Sequence, residues 1–470
     1  MPWPGPTRRF PVLAYRDFRF LLADRLLAPA AFAFSLVGVS FAVLDLTGST
    51  ADLSYVLAAQ ISPVLVFALA GGIVADRIAP QRVIVAANLM IVAGEGGFGI
   101  LVLAGRPQLW QMIALETLTG AGMAVFYPAS QALLPRLVPA RLMQEASAIS
   151  RLAMNAAQMG GAAVAGLFVA VAGPGWALAT CGIGMLGTVP LLLAIRAPGA
   201  TRAEPSTLLR DLREGWSEFA SRIWLWVVVA QYCVVLAAWY GGFQVLGPAV
   251  ARRYLGGPAG WGAITAAEAV GLIAGGLLSL RFAPRRPIRF VVLMGATIAI
   301  APLSLALRLP LPMVCAAAVG LGITMEITMV LWTVALAQNI PPGKLARVSS
   351  YDVLGSVMAM PAGALAAGPI AATIGVIPAE YGAAALTIAV SVLALLPRDV
   401  RSMRAPTPAG EPGPPAGHGR RAGANHVQEP GAGHGLGQGA SHGAGVAGRR
   451  ATLPQESGEP GQFPAPAAAR

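Results

Sequence analysis

The chain has 470 residues, of which 56% are hydrophobic and 11% charged, with a formal net charge of +12; an average soluble domain carries roughly a quarter charged residues. With a mean hydropathy of +0.66, that composition excludes one water-solvated core and fits a bilayer as the main solvent. Nucleic-acid binding is excluded as well, because the Arg residues are scattered between apolar runs instead of forming one aromatic-interleaved face.

The opening MPWPGPTRRF lacks a cleavable signal pattern, so the first apolar run is expected to serve as the insertion signal. A bilayer-crossing helix needs about 20 apolar residues, and twelve runs of that order, bounded by charge, Pro or Gly, follow one another. Spans 1 to 6 are expected from Leu26 to Leu46, Leu53 to Ala75, Val83 to Ala104, Leu109 to Leu134, Ala146 to Ala172 and Trp176 to Ile195. Spans 7 to 12 are expected from Ile223 to Val250, Gly260 to Leu280, Ile288 to Leu307, Leu311 to Ala337, Val348 to Ile374 and Ile377 to Leu396.

Basic residues concentrate on the cytoplasmic side of a membrane protein. Arg8, Arg9, Arg16 and Arg19, the pairs Arg77/Arg82 and Arg136/Arg141, the cluster Arg281 to Arg289, Lys344/Arg347 and Arg398 to Arg404 all fall on one side. Arg106, Arg252, Arg253 and Arg308 fall on the other. Both termini are therefore expected in the cytoplasm of a bacterial cell, the protein being multi-pass in the inner membrane. The Arg252-Arg253 pair is the exception, marking either a local interface feature or a seventh helix that ends elsewhere.

Between spans 6 and 7, residues 196–222 form the longest loop and divide the chain into an N-terminal half, 1–195, and a C-terminal half, 223–398. Thr207 can cap a short amphipathic helix in this linker, whose Leu208, Leu212, Trp216 and Phe219 share a face suited to a membrane surface or to ordinary packing. The halves echo each other: Gly120-x-Gly122 in span 4 matches Gly320-x-Gly322 in span 10, and Pro139-Ala-Arg-Leu142 matches Pro342-Gly-Lys-Leu345. A separation of about 200 residues is what duplicated six-helix units leave, and such repeats enclose a midplane site at their interface. From residue 399 on, Gly, Pro, Ala and Arg without apolar periodicity predict a disordered cytoplasmic tail.

Cys181, Cys233 and Cys315 lie inside apolar runs without paired spacing, and all four His residues lie in the tail. No metal site, cofactor or nucleotide-binding loop is expected, which disfavours an enzyme and an ATP-driven pump alike.

The segment Gly71-Gly72-Ile-Val-Ala-Asp76-Arg77-Ile-Ala-Pro-Gln-Arg82 resembles the signature between helices 2 and 3 of the major facilitator superfamily. Tyr15-Arg-Asp-Phe-Arg19, Tyr127-Pro128-Ala-Ser-Gln-Ala and Arg347-Val-Ser-Ser-Tyr-Asp352 are similar to the exporter branch that includes enterobactin and macrolide efflux proteins. The resemblance covers about Arg16 to Arg398. It implies an all-α membrane protein of twelve transmembrane helices in two pseudo-symmetric six-helix halves. It also implies a secondary transporter, read as a monomer, whose partners are a small-molecule substrate, protons and the lipid bilayer.

By the same resemblance, Gly72, Asp76, Arg77 and Arg82 form a cytoplasmic gate, in which Asp76 meets the N-terminus of helix 11; a carboxylate gains roughly 0.3–2 kcal/mol there. The pattern is incomplete. Pro80 and Gln81 stand where basic residues are common, Glu116 precedes Gly120 where drug-proton antiporters carry Arg, and Gly160-Gly161-Ala162 replaces a Gly-Pro pair.

Ionisable residues inside spans cost roughly 2.5–3.5 kcal/mol each on insertion scales and so ask for a role. They are Glu95, Glu116, Arg151, Glu268, Glu326 and Asp352. The resemblance implies that helices 1, 4, 7 and 10 line the cavity, which favours Glu116 and Glu326 as substrate or proton sites, with Glu268, Arg151 and Asp352 beside them. Gln231, Tyr232, Tyr240 and Trp332 are expected on the cavity wall, or else in helix packing. A sensor, a lipid-handling protein and an importer of the same fold remain alternatives to an exporter.

Overall fold

The structure is a computed structural model that describes residues 10–75, 80–105, 107–196, 216–281 and 284–403. A short 3-10 turn, Pro11–Ala14, leads into α1 (Arg16–Thr47), α2 (Thr50–Ala75), α3 (Pro80–Ala104), α4 (Leu109–Leu137), α5 (Met143–Ala172) and α6 (Pro174–Leu193). Then follow α7 (Ile223–Tyr254), α8 (Gly257–Ser279), α9 (Pro287–Ala306), α10 (Leu311–Asn339), α11 (Pro342–Val357 with Met360–Ile374) and α12 (Val376–Ala394). Among the described residues, eleven segments are long and apolar enough to cross a membrane; α2, at 26 residues, supplies the remaining helix of the expected twelve. Large apolar side chains such as Val171, Ile183, Leu277 and Leu280 point outward, the arrangement that lipid rather than water rewards.

Helix ends follow local chemistry. Gln108 and Gln111 form a reciprocal capping box at the start of α4. α1 ends at Gly48 with φ +67°, a left-handed cap that favours glycine. Gly173 joins α5 to α6 with φ +88°, and Gly375 joins α11 to α12 with φ +94°. The same one-residue corner thus recurs in each half.

Several helices extend a few residues beyond the expected spans, α11 starting at Pro342 instead of Val348, and two of the differences involve charged side chains. α1 starts at Arg16 instead of Leu26, because Asp24-Arg25 is accommodated inside the helix: both are buried, and the Arg25 guanidinium donates to the Ser130 carbonyl at 3.1 Å and contacts the Met154 sulfur at 3.1 Å. α7 runs on to Tyr254, and Arg252 near its end pairs with Asp45 at 3.2 Å and donates to the Leu44 carbonyl. A guanidinium at the C-terminus of α1 also meets the negative end of that helix dipole. Arg252 of the exceptional pair therefore belongs to an interface, whereas Arg253 is exposed and lies over the Tyr254 ring.

Several helices are interrupted. α3 widens into a π-helical turn at Val92–Gly96 and α7 at Tyr240–Leu246, α9 breaks between Thr297 and Ile300, and α11 breaks before Pro361. Such turns are frequent at functional sites because they re-aim side chains and loosen the backbone ladder.

Four of the apolar cores define the halves. At the end nearer the first and last helix residues, Val12, Phe18, Ile84, Leu133, Ala146 and Ile195 pack within α1–α6, while Trp224, Ile288, Val291, Leu331, Val348 and Val400 pack within the second half. At the far end the cores are shared: Val37, Phe41, Ala165 and Val169 pack with Val250, Trp261 and Ile298, and Val43, Leu53 and Val56 pack with Val245, Ala364 and Ala371.

Candidate functional site

The far-end seam is closed by backbone-to-backbone contact that only small residues allow. A methyl at Gly166 of α5 would lie 2.7 Å from the Gly262 Cα of α8, and one at Gly368 of α11 would run into Thr50 and Ser54 of α2. Toward the other end, Arg151 of α5 and Glu326 of α10 face each other from opposite halves at 4.0 Å, with side chains 72% and 20% exposed. Glu326 rests against Gly275 and Gly276 of α8. The pair is too exposed and too long to clamp the halves together; exposed ion pairs contribute about 0–1 kcal/mol. It leaves one cation and one anion presented to the space between them.

Deeper in the first half lies a cluster of fully buried polar groups. Glu95 sits in the π-helical turn of α3 and accepts from the Ser35 hydroxyl of α1 at 2.7 Å. Glu116 of α4 accepts from the Gln60 amide of α2 at 2.7 Å. Gly94 brings α3 against Leu115 and Thr119 of α4, and Gly120 brings α4 against the Gln60 backbone, so the two acids are near enough to act on each other electrostatically. Cys181 of α6 and Tyr240 of α7 lie within electrostatic reach of this pair.

The other expected site residues are dispersed. Gln231 donates to the Val292 carbonyl at 3.0 Å and to the Ser391 hydroxyl at 2.9 Å, and Tyr232 donates to the Val291 carbonyl at 3.2 Å, so both fasten α7 to α9 and Gln231 also to α12. Trp332 donates to Asp352 at 2.9 Å and stacks edge-on against Trp224, which ties α10, α11 and α7 together near the terminal end. Glu268 is half-buried on α8. Gly72 lies in the last turn of α2 and Arg82 is exposed at the start of α3, whereas Asp76 and Arg77 lie outside the described residues.

With this geometry in hand, the sequence profile of the Major Facilitator Superfamily matches residues 26–351. The chain belongs to that superfamily. Macrolide efflux protein A from Streptococcus pyogenes is 24% identical over 382 residues, covering 78% of this chain and 92% of that protein. Among solved structures, an auto-inhibited POT family peptide transporter superposes with a TM-score of 0.67 at 12% identity, covering 84% of this chain and 99% of the other. The nucleoside transporter NupG gives 0.64 at 10% identity, covering 83% and 100%. A bacterial homologue of the human lysosomal transporter Spinster, solved in an inward-facing and unoccupied conformation, gives 0.61 at 15% identity, covering 84% and 96%. The structural likenesses establish the facilitator fold, and the family match makes the chain a membrane transporter.

Three features of this facilitator carried little signal in its sequence. Glu95 lies on α3, outside the four helices expected to line the cavity, and it sits in a π-helical turn that composition does not reveal. Glu380 of α12 is fully buried against Gly242 in the π-helical turn of α7, and neither of its oxygens has a hydrogen-bond partner among the described residues. Asp24-Arg25 lies just ahead of the expected span 1 yet inside the observed α1.

Proposed function

We propose that this facilitator exports a small amphipathic organic compound by alternating access, in exchange for protons, across the bacterial inner membrane. The observation that carries the proposal is the division of the apolar cores: shared at the far end, separate at the terminal end. With both termini in the cytoplasm, as the basic loops favour, this is the state open to the cytoplasm. Two bodies hinged at one end and parted at the other can exchange which end is closed.

Within this reading the halves comprise residues 1–195 and 223–398, joined by the linker 196–222 and followed by a tail, 399–470, and the protein works as a monomer. Arg151 and Glu326 face the substrate path, with Glu268 on the neighbouring helix. Gly72, Asp76, Arg77 and Arg82 close the cytoplasmic end when the far end opens. Export of an amphipathic compound draws support from the macrolide efflux relative, and proton exchange from the buried carboxyl groups.

The test is efflux of dyes, siderophores and antibiotics from cells expressing the chain, with and without a protonophore. Protonophore-sensitive export of at least one class is expected, with Asp76→Asn inserting normally but exporting poorly. Export that ignores the protonophore would remove proton exchange. Failure for every class would favour a sensor or lipid-handling role.

A further inference from the structure

We propose that Glu95 and Glu116 form one proton-binding unit, two carboxyl groups from adjacent helices that together hold a single exchangeable proton. The inference deepens the proton-exchange reading and rests on it for its role in transport, although the site itself stands on geometry. Both side chains are fully buried, and each accepts one hydrogen bond from a neutral donor on another helix, Ser35 and Gln60 at 2.7 Å. Glu95 Oε2 and Glu116 Oε1 carry no hydrogen bond among the described residues, and the buried Thr119 hydroxyl of α4 lies close enough to Glu95 to act on it. The two packed helices thus leave open acceptor atoms on both acids.

Charge decides what fills them. The titratable groups within electrostatic reach are Cys181 of α6, near both acids, and Tyr240 of α7, near Glu116, while α1 and α2 present Ser35 and Gln60 and α4 also presents Thr119; no Lys or Arg among the described residues acts on either acid. Two carboxylates cannot both be charged in such a place, since like charges at short range in low dielectric oppose ionisation of the second. One charge is tolerable, because Ser35 and Gln60 each donate a hydrogen bond to the acids and a charged acceptor strengthens such a bond. The balanced step is therefore one COOH and one COO⁻ taking up a single proton to give two COOH groups.

The unit is also placed to report between halves. Ser35, Gln60, Glu95, Glu116 and Cys181 belong to five helices of the first half, whereas Tyr240 opens the π-helical turn of α7 in the second. Gln60 is only half-buried, so the rim of the cluster reaches the surface while its acids do not.

Infrared difference spectroscopy on the full-length protein in lipid nanodiscs, taken across an acid-to-alkaline pH series, tests the site without a substrate. Wild type is expected to show one hydrogen-bonded carboxyl band that titrates, and Glu95→Gln or Glu116→Gln should each abolish that same band. The double variant should change the spectrum no further, as for groups that act as a unit, while Glu380→Gln should leave the band in place. Two separate bands, each removed by one substitution, or a band that never titrates, would overturn the proposal. Proton-gradient-driven ethidium efflux in liposomes then separates the two readings. Protonophore-insensitive efflux by wild type would sink proton exchange while the infrared result stands, and a driven wild type with driven single variants would sink the unit's part in coupling.

Discussion

Gly120 and Gly160 are both glycines inside transmembrane helices, yet the structure gives them opposite tolerances. A methyl at Gly120 would collide with the Gln60 carbonyl on α2, whereas one at Gly160 meets nothing within 4 Å. Overpacking a close contact costs about 1–3 kcal/mol, and replacing a free helical Gly by Ala gains up to about 1 kcal/mol. Gly120→Ala is therefore expected to lower the melting temperature and the monodisperse yield on size-exclusion chromatography, and Gly160→Ala to hold or raise both. Equal melting temperatures for the two variants would contradict this account of α4 against α2. The sequence showed a matched Gly-x-Gly in each half, and the structure refines the match: in α10 it is Gly322, packed against Glu268 and Leu272 of α8, that makes the close approach, while Gly320 is open. Which of two glycines faces a neighbour depends on helix rotation, and composition does not carry that. Glu116 was legible as a costly buried acid; its pairing with Glu95 was not, because the π-helical turn that aims Glu95 inward leaves no mark on residue type.

At the scale of elements, the helices were readable because bilayer thickness imposes their length, whereas the end of the linker was not. Residues 216–220 form a helical turn whose Phe219 is buried in the second half's terminal core, with Trp216 and Phe219 both packed near the Tyr351 ring of α11. This turn packs on protein rather than on a membrane surface; Thr207, Leu208 and Leu212 lie outside the described residues. Glu218 anchors it, accepting from Lys344 of α11 at 2.8 Å and from Arg222, which also donates to the Asn339 carbonyl at the end of α10. Those hydrogen bonds, from Lys344 first and Arg222 second, hold the Glu218 carboxyl below its ordinary pKa. A depressed carboxylate contributes its stabilisation fully above the unfolded value and loses it as pH falls through the folded one, here on the acid side of the ordinary carboxylate range. A nitroxide on Ser217→Cys should thus be immobile at neutral pH and mobilise in that acid range, and adding Glu218→Gln should make it mobile at all pH values. A label as immobile in the Glu218→Gln background as in the wild-type one would refute the anchor.

For the whole molecule, the decisive feature is that the two halves share cores at one end only, so the far-end seam must part if the terminal end is to close. The sequence disclosed two halves and their basic loops, but which end is closed follows from where small residues of different halves meet, and those pairs are distant in the chain. Gly166 and Gly262 meet glycine to glycine: a methyl at Gly262 would lie 2.5 Å from the Gly166 Cα and 2.9 Å from the Ala162 carbonyl. Val at position 262 cannot be accommodated by a side-chain rotation, because what it meets is backbone. Arg252 adds a polar tie across the same seam, to Asp45 and the Leu44 carbonyl, though at 43% and 47% side-chain exposure the ion pair is a weak one. The two substitutions should consequently rank. Gly262→Val is expected to displace the ensemble strongly toward the far-end-open state and Arg252→Ala to displace it slightly. Spin labels at Ala104→Cys and Leu307→Cys report the far end, and labels at Arg141→Cys and Asp399→Cys report the terminal end, all four positions being exposed. Pulsed dipolar distances should lengthen for the first pair and shorten for the second in Gly262→Val, because two rigid bodies turning about one interface cannot open one end without approaching at the other. Lengthening at the far end with no change at the terminal end would mean that the halves simply separate, and alternating access would lose its structural basis in this protein.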